Sequence, residues 1–186
     1  MVEEARDTVA TGAAPGPAPA RWRVGPSDLR RALDPYVAGT EADLPYVVVD
    51  DRASEQADVL DELLRRAFLD WGPPENPPGP GEHPGAHALV PCTRSHAERV
   101  LVRAFRWHLA YHDVRLSVDA AAAVAALLAG QMPSDTQWST NVVLDPADGP
   151  VDEIYGLSSV SPYTFDLAVV GTSTDRTLAV LDVDED

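Results

Sequence analysis

The chain has 186 residues, 45% of them apolar, with 17 Pro, 12 Gly and one Cys. That length suits one domain, or one domain with a tail, and the apolar share argues against disorder throughout. Acidic residues number 30 and basic ones 14, a net charge of −16, which argues against direct nucleic-acid or anionic-membrane binding, because phosphate contacts need a basic face.

Cys92 has no intramolecular partner, so a disulfide scaffold is excluded. No run approaches the ~18 apolar residues of a membrane helix. The opening residues carry Glu3, Glu4 and Asp7 with no apolar stretch, unlike a secretory signal. A cytoplasmic protein is the expectation. All 14 basic residues are Arg. The absence of Lys goes with scarce Ile and Asn, as GC-rich coding would give, and is not read as a binding signal.

Residues 1–20 end in an Ala/Pro/Gly-rich run and are expected to form a disordered tail. Residues 21–186 are expected to form a single α/β domain. Trp22 and Val24 start its ordered part. Ser27 or Asp28 caps a short helix that reaches Leu33 and ends at Pro35. Tyr46-Val47-Val48-Val49 reads as a strand buried on both faces. Ser54 looks like an N-cap, and Leu60, Leu63, Leu64, Ala67, Phe68 and Trp71 follow on one helical stripe. Asp58, Asp61, Glu62, Arg65 and Arg66 take the opposite face.

Residues 72–91 hold seven Pro and four Gly and read as a long surface loop. Ser95 and Glu98 have capping-box spacing, predicting a helix to about Asp113. Ser117 caps a second one, Val118 to Ala129, with Gly130 at its end. Strands then follow at 140–144, 163–170 and 177–183, the last two as a hairpin around 171–176. Val183-Asp184-Glu185-Asp186 is expected to fray as a charged end. The pattern predicts an α/β (or α+β) fold: a mixed sheet of about 4–5 strands against three main helices near 54–70, 95–113 and 118–129.

The strand–helix order over residues 45–71, in a strongly acidic chain, is similar in pattern to barstar-like inhibitors. That similarity implies an inhibitor of a basic ribonuclease.

The charge is uneven. Residues 1–133 carry 19 acids and 13 Arg, while residues 134–186 carry 11 acids and only Arg176. A patch of one sign steers an oppositely charged partner. The first functional expectation is therefore a non-enzymatic module of inhibitor, immunity or adaptor type. It would dock on a basic protein through Asp145, Asp148, Asp152, Glu153, Asp182 and Asp184. The bland alternative is that the charge serves only solubility or salt adaptation.

A second expectation is a small enzyme near His108, His112 and Asp50. His108 and His112 stand at i, i+4 on the expected helix, the spacing of metal-binding helices, yet the HExxH form is absent. Packed core histidines are the competing account. Asp50 and Asp51 close the buried strand, where ligands of open sheets bind. They also suit an ordinary loop start. Arg99, Arg103 and Arg106 make a basic stripe on that helix, which either grips an anion or pairs with acids of the same fold. Asp166 is an acid in an apolar strand; buried, it needs a partner. Cys92, beside Arg94 and a helix start, has surroundings that favour thiolate. No cofactor and no metal is expected. A third expectation is a structural subunit of a homo- or hetero-oligomer.

Overall fold

A computed structural model describes residues 21–25, 27–38, 44–72, 85–110, 113–144 and 154–184. The predicted tail at 1–20 and most of the Pro/Gly-rich segment lie outside the described residues.

Six strands form one mixed sheet. In chain order they are β1 (Trp22–Val24), β2 (Tyr46–Asp50), β3 (Val90–Cys92), β4 (Gln137–Thr140), β7 (Phe165–Thr172) and β8 (Thr177–Asp184). Their spatial order is β1-β2-β8-β7-β4-β3. Only β1 and β2 run parallel; every other neighbour is antiparallel. A separate two-stranded ribbon pairs β5 (Val142–Leu144) with β6 (Ile154–Leu157). The α/β class is as expected, with more strands, because three-residue edge strands leave too few positions for an alternation signal.

The central strands are covered on both faces, and alternate residues sort between them. Val47 and Val49 of β2, Leu167 and Val169 of β7, and Leu178 and Val180 of β8 face helices α1 (Ser27–Val37), α3 (Arg94–Arg106) and α4 (Val118–Ala129). Tyr46, Val48, Ala168, Val170, Ala179 and Leu181 face α2 (Gln56–Trp71), the short turn 85–88 and the segment around Val160 and Tyr163. Ala-rich α4 packs most closely against α3 and α1, as small side chains permit. Among the described residues, no helix is long and apolar enough to cross a membrane.

Local signals resolve differently from expectation at several ends. α1 runs through Pro35 to Val37. A Pro in the last turn forfeits one backbone bond and leaves the rest of the helix intact. The N-cap of α2 is Glu55, which makes no side-chain cap bond; the Ser54 amide instead donates to Thr177 Oγ1 at 2.9 Å. The N-cap of α3 is Thr93, whose hydroxyl accepts from the His96 amide at 3.1 Å. Glu98 pairs with Arg94 at 2.9 Å, so the expected capping box does not form. Ser117 caps α4 as expected.

α3 stops at Arg106, not near Asp113. The chain reverses there: Trp107 bridges Val114, and the His108 amide donates to Asp113 O at 2.9 Å. Two guanidiniums serve the last turn of α3. Arg103 Nη1 donates to Trp107 O at 3.3 Å and Arg115 Nη1 to Ala104 O at 3.0 Å. Cations placed there satisfy orphan carbonyls and the helix dipole. A continued helix would have aimed His108 at the core, where a neutral imidazole needs two partners.

Candidate functional site

Helix α2 presents an apolar surface that the described residues leave exposed. Leu60, Leu63 and Ala67 are buried against the sheet, whereas Phe68 is 45% and Leu69 85% exposed. Leu69 stands about 180° around the helix from Leu60 at 100° per residue, so core packing does not account for it. Leu64, Phe68 and Leu69, with Asp61 and Arg65, form one wall of an open groove of about 830 Å³. Val160, Pro162 and Gly85 form the other. Phe68 leans on buried Tyr163, ring centroids 6.5 Å apart, and the Tyr163 hydroxyl donates to Gly72 O at 3.1 Å.

The Val160–Pro162 wall is held by Asp166, which is 1% exposed. Its carboxylate accepts from Asn141 Nδ2 at 2.6 Å, Ser159 Oγ at 2.7 Å and Ser161 Oγ at 2.6 Å. It also accepts from the amides of Val160 at 3.1 Å and Ser161 at 2.8 Å. A buried carboxylate needs such a complete set of donors. Asn141 sits where the chain leaves β4 for β5, and its side-chain Oδ1 accepts from the Ala168 amide at 2.7 Å. The groove wall is thereby anchored to the central strand β7.

Towards the start of α2 the surface turns polar. Glu55, Asp58 and Asp61 are exposed at three-residue intervals, close to one helical line. None of them forms an ion pair among the described residues. Glu62, by contrast, is paired with Arg23 and Arg66. A second open cleft of about 870 Å³ lies at this end. Its lining includes Arg52, Glu55, Asp58, Ser139 and Thr172. Gln56 Nε2 donates to Ser139 Oγ at 3.1 Å across it.

The acidic residues singled out from the sequence fall elsewhere. Asp182 is 2% exposed and Asp184 is also buried. They extend the stripe of Leu178 and Val180 on the helix-covered face, opposite Leu167 and Phe165 of β7. Arg115 Nη1 donates to Asp182 Oδ2 at 2.6 Å, and the Ala110 amide donates to Asp184 Oδ2 at 3.1 Å. Burial raises the Asp182 carboxyl above its ordinary range against the pull of Arg115. Both acids are internal, and Arg115 offsets the charge of Asp182, so neither is exposed to a partner. The end of β8 does not fray up to Asp184, because β7 pairs with it throughout. Asp145, Asp148, Asp152 and Glu153 lie outside the described residues.

Among the described residues, the groups of the enzyme expectation are not brought together. Asp50 pairs across β2 and β8 with Thr177, whereas the reversal that carries His108 runs into Arg115, which is bonded to Asp182. Five residues of strand separate those points, about 17 Å. Asp50 is held by Arg23 at 2.8 Å and Arg52 at 3.2 Å, and Asp51 by Arg176 at 3.5 Å. His108 lies beyond the end of α3 and is not helical, and His112 lies outside the described residues. The basic stripe also fails: Arg103 is 1% exposed, and Arg106 stacks over Trp107 at 4.8 Å. Cys92 is half-buried, and burial pushes its thiol up to about 11, the reverse of activation. Arg94 turns from it towards Glu98 and the Ala129 carbonyl. Among the described residues, no group of three or more His, Cys, Asp or Glu could hold a metal ion.

One ion pair carries a signed pH prediction. The hydrogen bond from Arg23 holds the Asp50 carboxyl below its ordinary range. A depressed carboxylate stabilises the fold above its unfolded value, near ~3.9, and that share is lost as pH falls through the folded value. The thermal midpoint of Asp50→Asn is therefore expected below that of the unaltered chain at pH 7. The gap should close under acid below about pH 3.9. A gap independent of pH would show that the pair contributes nothing.

No protein-family model, curated protein or solved structure matches this chain. The similarity of residues 45–71 to barstar-like inhibitors thus rests on pattern alone.

Proposed function

We propose that this chain is a non-enzymatic protein-binding module that docks on a basic protein partner through the outer face of α2. The observation that carries the reading is the groove beside Phe68 and Leu69, large apolar side chains left exposed on a helix whose other face is fully packed. Contiguous apolar surface rimmed by polar residues is a common mark of a protein-docking site. The wall opposite is pre-organised by the donors around Asp166, which lowers the ordering cost of docking. The overall charge of −16 favours approach by a cationic partner. The docking face of this reading is thus α2; of the carboxyl-terminal acids first expected, Asp182 and Asp184 are buried.

Panning a random-peptide display library on the immobilised protein tests this. Enriched peptides are expected to combine Arg or Lys with large apolar residues. Leu69→Asp leaves the core untouched and is expected to weaken the selected peptides about 30-fold, the worth of about 2 kcal/mol of apolar burial. Selected peptides that are acidic, or that bind Leu69→Asp equally well, would overturn the proposal.

A further inference from the structure

The apolar groove and the polar cleft lie along the same helix and share its flank. Asp58 lines the cleft and Asp61 the groove, one helical turn apart. The chain from Gly85 to Leu89 runs beside α2 and contributes Gly85 to the groove and Leu89 to the cleft. Glu55, Asp58 and Asp61 are all exposed, the first two in the cleft lining and the third in the groove. Among the described residues, Arg65 is the guanidinium of the groove lining, and Arg52, bonded to Asp50, that of the cleft.

We infer that the two cavities form one track, which takes a single basic segment of the partner. Its apolar residues fill the groove at Leu64, Phe68 and Leu69. Its cationic residues lie over Glu55, Asp58 and Asp61. This rests on the protein-binding reading above and adds the chemistry of the segment and its order along the helix. From Glu55 to Leu69 the helix rises about 21 Å, so one segment spans both ends. Exposed carboxylates that form no ion pair among the described residues are cheap to pair, because they lose no such bond on docking. Their screening by salt makes the cationic half of the contact salt-sensitive, whereas the apolar half is not.

Three labelled synthetic peptides and full-length protein test the track by fluorescence anisotropy. One peptide joins a Leu/Phe cluster to an Arg cluster. The second replaces the Arg cluster by Ser, and the third replaces the Leu/Phe cluster by Ser. The bipartite peptide is expected to bind more tightly than either other peptide, and to weaken as salt rises. The Glu55→Lys/Asp58→Lys double variant is expected to weaken it about tenfold and to remove the salt dependence. The same variant should leave the apolar–Ser peptide unchanged. Leu69→Asp should weaken both apolar peptides. If the double variant leaves the bipartite peptide's affinity and salt slope unchanged while Leu69→Asp still weakens it, the track is wrong and the groove stands. If neither apolar peptide responds to Leu69→Asp, or no peptide binds saturably, the groove reading and the track both fall.

Discussion

Replacing Asp182 by Ala is expected to destabilise the fold by about 3–5 kcal/mol, the cost of leaving a buried cation without its counter-charge. Against a typical total of about 5–15 kcal/mol, that is a large share. The cation is Arg115, whose side chain is 5% exposed and whose Nε already has no acceptor. Without Asp182, its Nη1 keeps only the Ala104 carbonyl. Substituting both partners, Arg115→Met with Asp182→Leu, should recover most of the loss, since apolar groups of similar volume replace a buried pair at little cost. Urea unfolding of the two single variants and the double measures the coupling directly. A single-variant loss near zero would mean that water reaches the pair. The pH dependence also has a defined sign. Burial raises the Asp182 carboxyl, so the fold binds its proton more readily than the unfolded chain does. From this group stability rises as pH falls from the folded value towards the unfolded one, opposite in sign to Asp50.

Asp166→Ala is the second substitution with a large expected effect. It strands the Ser161 hydroxyl and the Val160 and Ser161 amides, and takes one acceptor from Asn141 and Ser159, which keep the Ser158 and Ser161 carbonyls. Each unmet buried donor costs about 1–3 kcal/mol, less than additively because the loop can relax. A total loss of about 4 kcal/mol is expected. Asp166→Asn keeps one carbonyl oxygen as acceptor and should lose about half as much. The two variants also separate stability from docking. At temperatures where Asp166→Asn remains folded, the wall at Val160 and Pro162 loses part of its anchor, so the groove should bind the apolar peptides more weakly. Hydrogen exchange at the Val160 and Ser161 amides reads the loosening independently. Unchanged protection there would show that the carboxylate does not hold the wall.

Much of the framework could be read from residue order. The strand at Tyr46–Asp50, the amphipathic helix after it, the Ser117 cap of α4 and the β7–β8 hairpin each have a strong local signal. Asp166 was legible as an acid in need of a partner, though not which partner. Asn141, one of two Asn in the chain, carried no pattern at all. Its role depends on β4 leaving the sheet beside Ala168, which is a long-range event. Leu69 had a faint signal, an apolar residue among charges on the outer arc of α2. It stayed unread because scattered surface Leu is common and only a neighbouring wall makes it a groove.

Charge misled most. Asp182 and Asp184 look like a solvated acidic end when their neighbours in the chain are counted. Their surroundings are instead set by β7 alongside and by Arg115 and the Ala110 amide, brought there by the chain reversal after α3. Arg103 misled in the same way, since its arc on α3 faces polypeptide and not water.

Local order, by its periodicity, determined which segments become helices and strands and which faces of them are apolar. It also set the net charge that any partner meets. What tertiary structure alone decided was which charges remain on the surface and which apolar side chains stay uncovered. Both depend on groups far apart in the chain arriving at one place, and solvation follows that arrival, not the order of residues.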